Sequence, residues 1–276
     1  MLRVRPIHFT SRMADYRKLL TGLGLSVSVD NDGYTEFDAG SGRMAIHLAE
    51  SGAADDGTTA LGFEIRDLDE FIRRTNEAGT TAKVYEAGHG TAAKITAADG
   101  LVFLCDPVPA NTFPEAGQGA APGASPDALH NPGTGPDTLH NPETAPDALH
   151  NPETAPDPAL SVLPLWMTPD VDGARKVLDN IGAKPRIIAD AGTWVDHRAK
   201  NGGLVAAHQD AEVEVLMAFE YDGALETLQS RLADVSIEAT IIDENYGKSL
   251  RLPDPDGGEI WVNQKQSDLH GYTRAE

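Results

Sequence analysis

Pro6-Ile7-His8-Phe9-Thr10, then Arg17-Lys18-Leu19-Leu20 and Gly24, is answered later in the chain by Pro164-Leu165-Trp166-Met167-Thr168, Arg175-Lys176-Val177-Leu178 and Gly182. The correspondence continues. Ile46-His47-Leu48 matches Ala207-His208-Gln209, Phe63-Glu64 matches Phe219-Glu220, and Asp99-Gly100 matches Asp256-Gly257. The chain is a tandem duplication, so a residue that a given chemistry needs in both copies can be sought twice.

Within each copy a short apolar segment leads into a helix-period segment that stops at Gly24 or Gly182, as glycine past a helix end requires. Strand-like runs follow at Leu25 to Val29, Tyr34 to Asp38 and Met44 to Ala49, separated by Asn31-Asp32-Gly33 and Gly40-Ser41-Gly42. The order then repeats inside the copy. Leu61 to Ile65 reads as a strand, Leu68 to Ala78 as an amphipathic helix, and Ala82 to Tyr85, Ala92 to Thr96 and Leu101 to Cys105 as strands. Each half is therefore two βαβββ units, an α+β architecture in four modules.

Length and composition divide the 276 residues into two domains, 1–108 and 161–266, with a tail at 267–276. Between them, 109–160 holds no Lys or Arg, one aromatic (Phe113) and a decapeptide repeat carrying His130, His140 and His150. A segment so poor in apolar residues is expected to be a disordered tether, and its histidines lack a scaffold that would gather them around a metal. The formal charge of −21 excludes a phosphate-backbone or anionic-membrane partner. No apolar run has the length of a membrane span, and Met1 to Pro6 is too short and too charged for a signal peptide, so the expected location is cytoplasmic. The single cysteine, Cys105, excludes an internal disulfide framework and falls on the apolar face of a strand, where it is inert core.

Paired βαβββ units, duplicated again and closed by Asp254-Pro255-Asp256-Gly257 before Ile260-Trp261-Val262, resemble the vicinal oxygen chelate superfamily of glyoxalases, bleomycin-binding proteins and extradiol dioxygenases. The resemblance implies curved, mixed sheets folded around a cavity in each half, with the halves paired within one monomeric chain. It also implies a divalent metal held by side chains of the first, fifth and eighth strands. Spacing from the helix-ending glycines and, for the eighth strand, from the turn glycines Gly100 and Gly257 puts those positions at Val4, Ala60 and Leu104 in one half and at Val162, Leu216 and Trp261 in the other. None of these side chains offers a lone pair, so no metal, cofactor or catalytic residue is assigned.

Strand alternation nominates the cavity lining instead. With Met44, Ile46 and Leu48 facing the helices, His47 faces the concave side, and His208 answers it. By the same alternation His8 and Trp166 oppose Ile7, Phe9, Leu165 and Met167, Glu64 and Glu220 oppose Phe63 and Phe219, and Trp261 opposes Ile260 and Val262. His8 and Glu64 have the chemistry of an acid/base pair, though the sequence alone does not bring them together. The expected function is metal-independent binding of an aromatic or cationic organic molecule by His8, His47, Glu64, Trp166, His208, Glu220 and Trp261. Two alternatives stay open: a glyoxalase-type lyase or isomerase with its metal ligands rearranged around His47 and His208, and a degenerate scaffold that binds a protein partner.

Overall fold

Tyr16, Leu19, Leu20 and Leu23 recur at the spacing of one helix face, and all four are buried. In the computed structural model, which describes residues 1–108, 155–244, 247–267 and 269–275, they anchor the first helix to its sheet. The first half runs β1 (Leu2–Val4), β2 (Ile7–Thr10), α1 (Met13–Leu23), β3 (Ser26–Asn31), β4 (Tyr34–Asp38), β5 (Arg43–Leu48) and β6 (Thr58–Ala60). It continues with β7 (Gly62–Ile65), α2 (Leu68–Glu77), β8 (Ala82–Ala87), β9 (Gly90–Thr96) and β10 (Val102–Pro107). The second half repeats this order as β11 (Leu160–Val162), β12 (Leu165–Thr168), α3 (Val171–Asn180), β13 (Lys184–Ala189), β14 (Trp194–Arg198), β15 (Leu204–Gln209) and β16 (Glu214–Leu216). Then come β17 (Ala218–Tyr221), α4 (Leu225–Asp234), β18 (Thr240–Glu244), β19 (Gly247–Pro253) and β20 (Glu259–Gln264), and a further strand β21 (Tyr272–Arg274).

Each βαβββ module makes one sheet, extended by one short strand from outside the module or, in the third module, by two. The orders are β3-β4-β5-β2-β6 and β1-β7-β10-β9-β8 in the first half, and β16-β12-β15-β14-β13-β21 and β11-β17-β20-β19-β18 in the second. Within each sheet the strand before the helix lies parallel to the last strand of its module, and the other pairs are antiparallel. The sequence reading treats residues 267–276 as a tail. Part of that tail is β21, which pairs with the edge strand β13 and meets hydrogen-bonding groups that would otherwise face solvent.

Helices and convex sheet faces of both halves share one continuous core, in which Phe103 of the first half meets Trp166 of the second at 6.1 Å between ring centroids. Backbone hydrogen bonds stitch the seam, among them Val4 N–H to Gly202 O at 3.0 Å and Val162 N–H to Ser41 O at 2.9 Å. Glycine is needed there: a Cβ on Gly42 would stand 2.8 Å from the Cα of Gly203, and both residues have positive φ. Residues 155–160, grouped with the tether by composition, join the seam as well. Asp157 accepts from Arg231 at 2.6 Å, and its N–H donates to Gly24 O at 2.8 Å. His130, His140 and His150 lie outside the described residues. Among those described, no helix is long and apolar enough to cross a membrane.

Candidate functional site: two concave faces

The two sheets of each half curve toward one another, and the strand pleat decides what they enclose. In the first half the concave side is taken up by ions. Arg5, leaving the bend between β1 and β2, donates to Glu36 on β4 at 2.7 Å and to Tyr34 Oη at 2.8 Å, and it also pairs with Asp106 on β10. Arg43 on β5 reaches Asp38 at 2.7 Å, Glu36 at 3.2 Å and Glu64 at 3.4 Å, while Arg3 pairs with Glu64. Arg3, Arg5, Glu36, Glu64 and Asp106 are all buried. Burial alone would push the Glu36 carboxyl up, but Arg5 and Arg43 outweigh it and hold the group below its ordinary range.

The second half keeps two of those carboxylates and loses the rest of the plug. Glu64 and Glu36 have counterparts in Glu220 and Asp196, whereas Arg5, Arg43 and Asp106 become Leu163, Leu204 and Asn263. The remaining guanidinium comes from another strand. Arg186 of β13 donates to Glu220 at 2.8 and 2.5 Å and to Asp196 at 2.6 Å. Leu163, Leu204 and Ala206 form a small apolar cluster of their own, with Leu165 and Trp194 packed on it.

What remains is a cavity of about 440 Å³. Met167, Trp194, His208, Leu216, Trp261 and Tyr272 supply its apolar and aromatic wall, and Asp196, Glu220, Glu244 and Glu259 bring four carboxylates against two guanidiniums, Arg186 in the wall and Arg251 paired with Glu259. His208 packs edge-on to Trp194 at 5.6 Å, and burial lowers its pKa. Burial likewise raises that of Asp196 in spite of Arg186. Trp261 already carries one cation, the guanidinium of Arg251 at 5.1 Å from its ring.

His208, Glu220 and Trp261 thus come together around one cavity. Glu64 lies in the ionic plug of the first half, and His47 is exposed, packed against Phe9 and Tyr34 at the end of β5. His8 and Trp166 correct the alternation argument: both sit on the convex side. Trp166 donates its Nε1–H to Asp99 at 2.8 Å, and His8 Nε2 lies 3.1 Å from Asp256, each reaching a turn of the opposite half. Leu165 and Met167, expected to face the helices, line the cavity. Alternation separates neighbours to opposite faces without saying which face is concave, and the polar atoms of His8 and Trp166 find half-buried partners across the seam. The His8–Glu64 pair is therefore not formed, since His8 faces Tyr16, Thr59 and Asp256 while Glu64 faces Arg3 and Arg43.

Alternation applied to single strands also missed Arg186, Asp196, Trp194 and Tyr272. The signal for the first-half plug was present in Leu2-Arg3-Val4-Arg5, where bases alternate with apolar residues that a buried strand would require.

The donor sets of the concave faces do not fit a divalent ion. In the first half guanidinium groups face every carboxylate, and in the second Arg186 takes both inner ones. Among the described residues, the one group of three His, Cys, Asp or Glu side chains whose ligand atoms lie within 4.8 Å of one another is His8, Asp254 and Asp256, outside both faces.

No family model and no curated protein matches the chain. Solved structures do. The 2,3-dioxygenase LapB from Pseudomonas sp. KL28 is 12% identical, with a TM-score of 0.56 over 99% of this chain and 92% of that one. The Mn(II)-bound glyoxalase from Novosphingobium aromaticivorans is 12% identical, with a TM-score of 0.56 over 98% and 83%. Homoprotocatechuate 2,3-dioxygenase from Arthrobacter globiformis is 12% identical, with a TM-score of 0.57 over 97% and 80%. At this identity the likeness establishes the fold.

Proposed function

We propose that this chain, which has the vicinal oxygen chelate fold, binds a planar, cationic organic molecule in the concave cavity of its second half, without a bound metal. The observation that carries this reading is the pairing of aromatic walls with excess negative charge. Trp194, Trp261 and Tyr272 offer faces for stacking, and Asp196, Glu220, Glu244 and Glu259 outnumber Arg186 and the Arg251 that pairs with Glu259. A cation entering such a cavity exchanges water for ring faces and carboxylates. An anion meets repulsion.

A second reading is supported by the fold relatives: a dioxygenase and a Mn(II)-bound glyoxalase share the architecture. In that reading His208 and Glu220 are the donors nearest to hand, and Arg186 must release Glu220 before a metal can enter.

The test is a tryptophan-fluorescence and thermal-shift screen of cationic aromatic antibiotics, run with EDTA and again with added Mn(II) or Zn(II). Binding that quenches fluorescence in EDTA and is lost in both Trp261→Ala and Glu220→Gln supports metal-independent binding. Responses that require added metal and vanish in His208→Ala replace it with the enzyme reading.

A further inference from the structure

The duplication makes two quasi-equivalent contacts in which a turn of one half closes over the helix-facing side of the other half's leading strand. At one of them Asp99 accepts from Trp166 Nε1–H at 2.8 Å and from the Thr168 hydroxyl at 2.7 Å. A single carboxylate satisfies that contact. At the other, His8 stands where Trp166 does, and two carboxylates face it, Asp254 and Asp256. The turns themselves match. Gly100 N–H bonds Ala97 O as Gly257 N–H bonds Asp254 O, so Asp254 occupies the place of Ala97; its Oδ1 accepts from Asp256 N–H at 2.9 Å, a bond that the Ala97 turn closes without.

We propose that His8, Asp254 and Asp256, with the Tyr16 hydroxyl beside them, form a binding site for a first-row divalent cation that joins the two halves outside both cavities. His8 Nε2 and the two carboxylates have ligand atoms within 4.8 Å of one another. His8 Nδ1 is 2.9 Å from the Thr59 hydroxyl. A carboxylate only accepts, so Nε2–H donates to Asp256; a divalent ion takes the place of that proton while Nδ1–H donates to Thr59, the outer support that metal-bound imidazoles have. Tyr16 Oη bonds Asp254 and sits beside the same group. The one base at the site, Arg12, is half exposed, and its Nε stands 3.8 Å from Asp256, beyond a hydrogen bond. Two carboxylates face one imidazole and one phenol, and a divalent ion neutralises their charge. One nitrogen with oxygens suits zinc or manganese.

The experiment is equilibrium dialysis of the full chain, stripped with EDTA, against Zn(II) and Mn(II) separately, with melting temperature followed in parallel. One equivalent per chain and a raised melting temperature are expected with at least one of the ions. Asp254→Ala copies the residue of the other half's own turn and should fold. It and His8→Gln should weaken the metal by about 10- to 100-fold or more, the loss that even outer-shell changes typically cause. Arg12→Ala, which removes a competing positive charge, should tighten it. Substoichiometric binding of both ions by the wild type overturns the site, and so does metal retained undiminished in Asp254→Ala and His8→Gln. Trp261→Ala should leave this metal in place, which separates failure here from failure of the cavity reading.

Discussion

The concave faces of the two halves began as copies and now differ in kind. The first is filled by Arg3, Arg5 and Arg43 locked to Glu36, Glu64 and Asp106; the second holds a cavity of about 440 Å³ because Leu163, Leu204 and Asn263 stand where Arg5, Arg43 and Asp106 do. Charged side chains can fill a cavity only when each finds its opposite, so such a plug is gained or lost as a group. The retained acids illustrate this. Glu220 and Asp196 survive in the second half because Arg186, on a strand that carries no arginine in the first, reaches both.

The comparison breaks most sharply at Arg5. Arg5→Leu copies the second half but takes from the buried Glu36 and Asp106 the guanidinium they share, leaving Arg43 to the one and His89 to the other, and should cost about 3–5 kcal/mol in urea unfolding. Adding Glu36→Gln and Asp106→Asn should return much of that and open a cavity in the first half. A single variant as stable as wild type would mean that water already reaches the plug.

Next come the two tryptophans that alternation placed together. Trp166 is fully buried between the halves, so Trp166→Ala should lower stability by about 3–5 kcal/mol through the cavity it leaves and the donor it takes from Asp99, which keeps the Thr168 hydroxyl. Trp261 is partly exposed at the cavity wall, and Trp261→Ala should instead weaken cavity binding by about 1–3 kcal/mol, read by titrating an antibiotic that quenches the wild type. Equal stability losses in the two variants would erase the distinction.

The smallest effect concerns His208, in the wall of the open cavity. Burial depresses the pKa of His208, so between the ordinary histidine value and its own the folded state binds fewer protons than the unfolded chain. Its contribution to stability is present above about pH 6.5 and is lost as pH falls through the depressed folded value. His208→Gln should therefore flatten the fall in melting temperature between about pH 7.5 and about pH 5. A profile identical to that of the wild type would show that acid sensitivity lies elsewhere, with the buried His197 the next candidate because its pKa is also lowered by burial.

The order of elements was legible along the chain. Four strand–helix–strand–strand–strand modules follow from apolar periodicity and from the glycines at 24 and 182, since helix and strand periods are local properties of the backbone. The choice of Glu64, Glu220, His208 and Trp261 as concave-facing also rests on a strand's alternation, and these side chains lie in the plug or the cavity. His8 and Trp166 could not be placed that way. A period of two is blind to side, and the side was settled by Asp256 and Asp99 arriving from the opposite half. Likewise Arg186 and β21 reach the second cavity from a neighbouring strand and from the end of the chain, through pairings that no sequence window contains. Local repetition made the duplication and its modules readable from sequence alone. Which copy would be filled and which left open depended on charges from strands far apart in the chain meeting in three dimensions, and only the tertiary structure decided that.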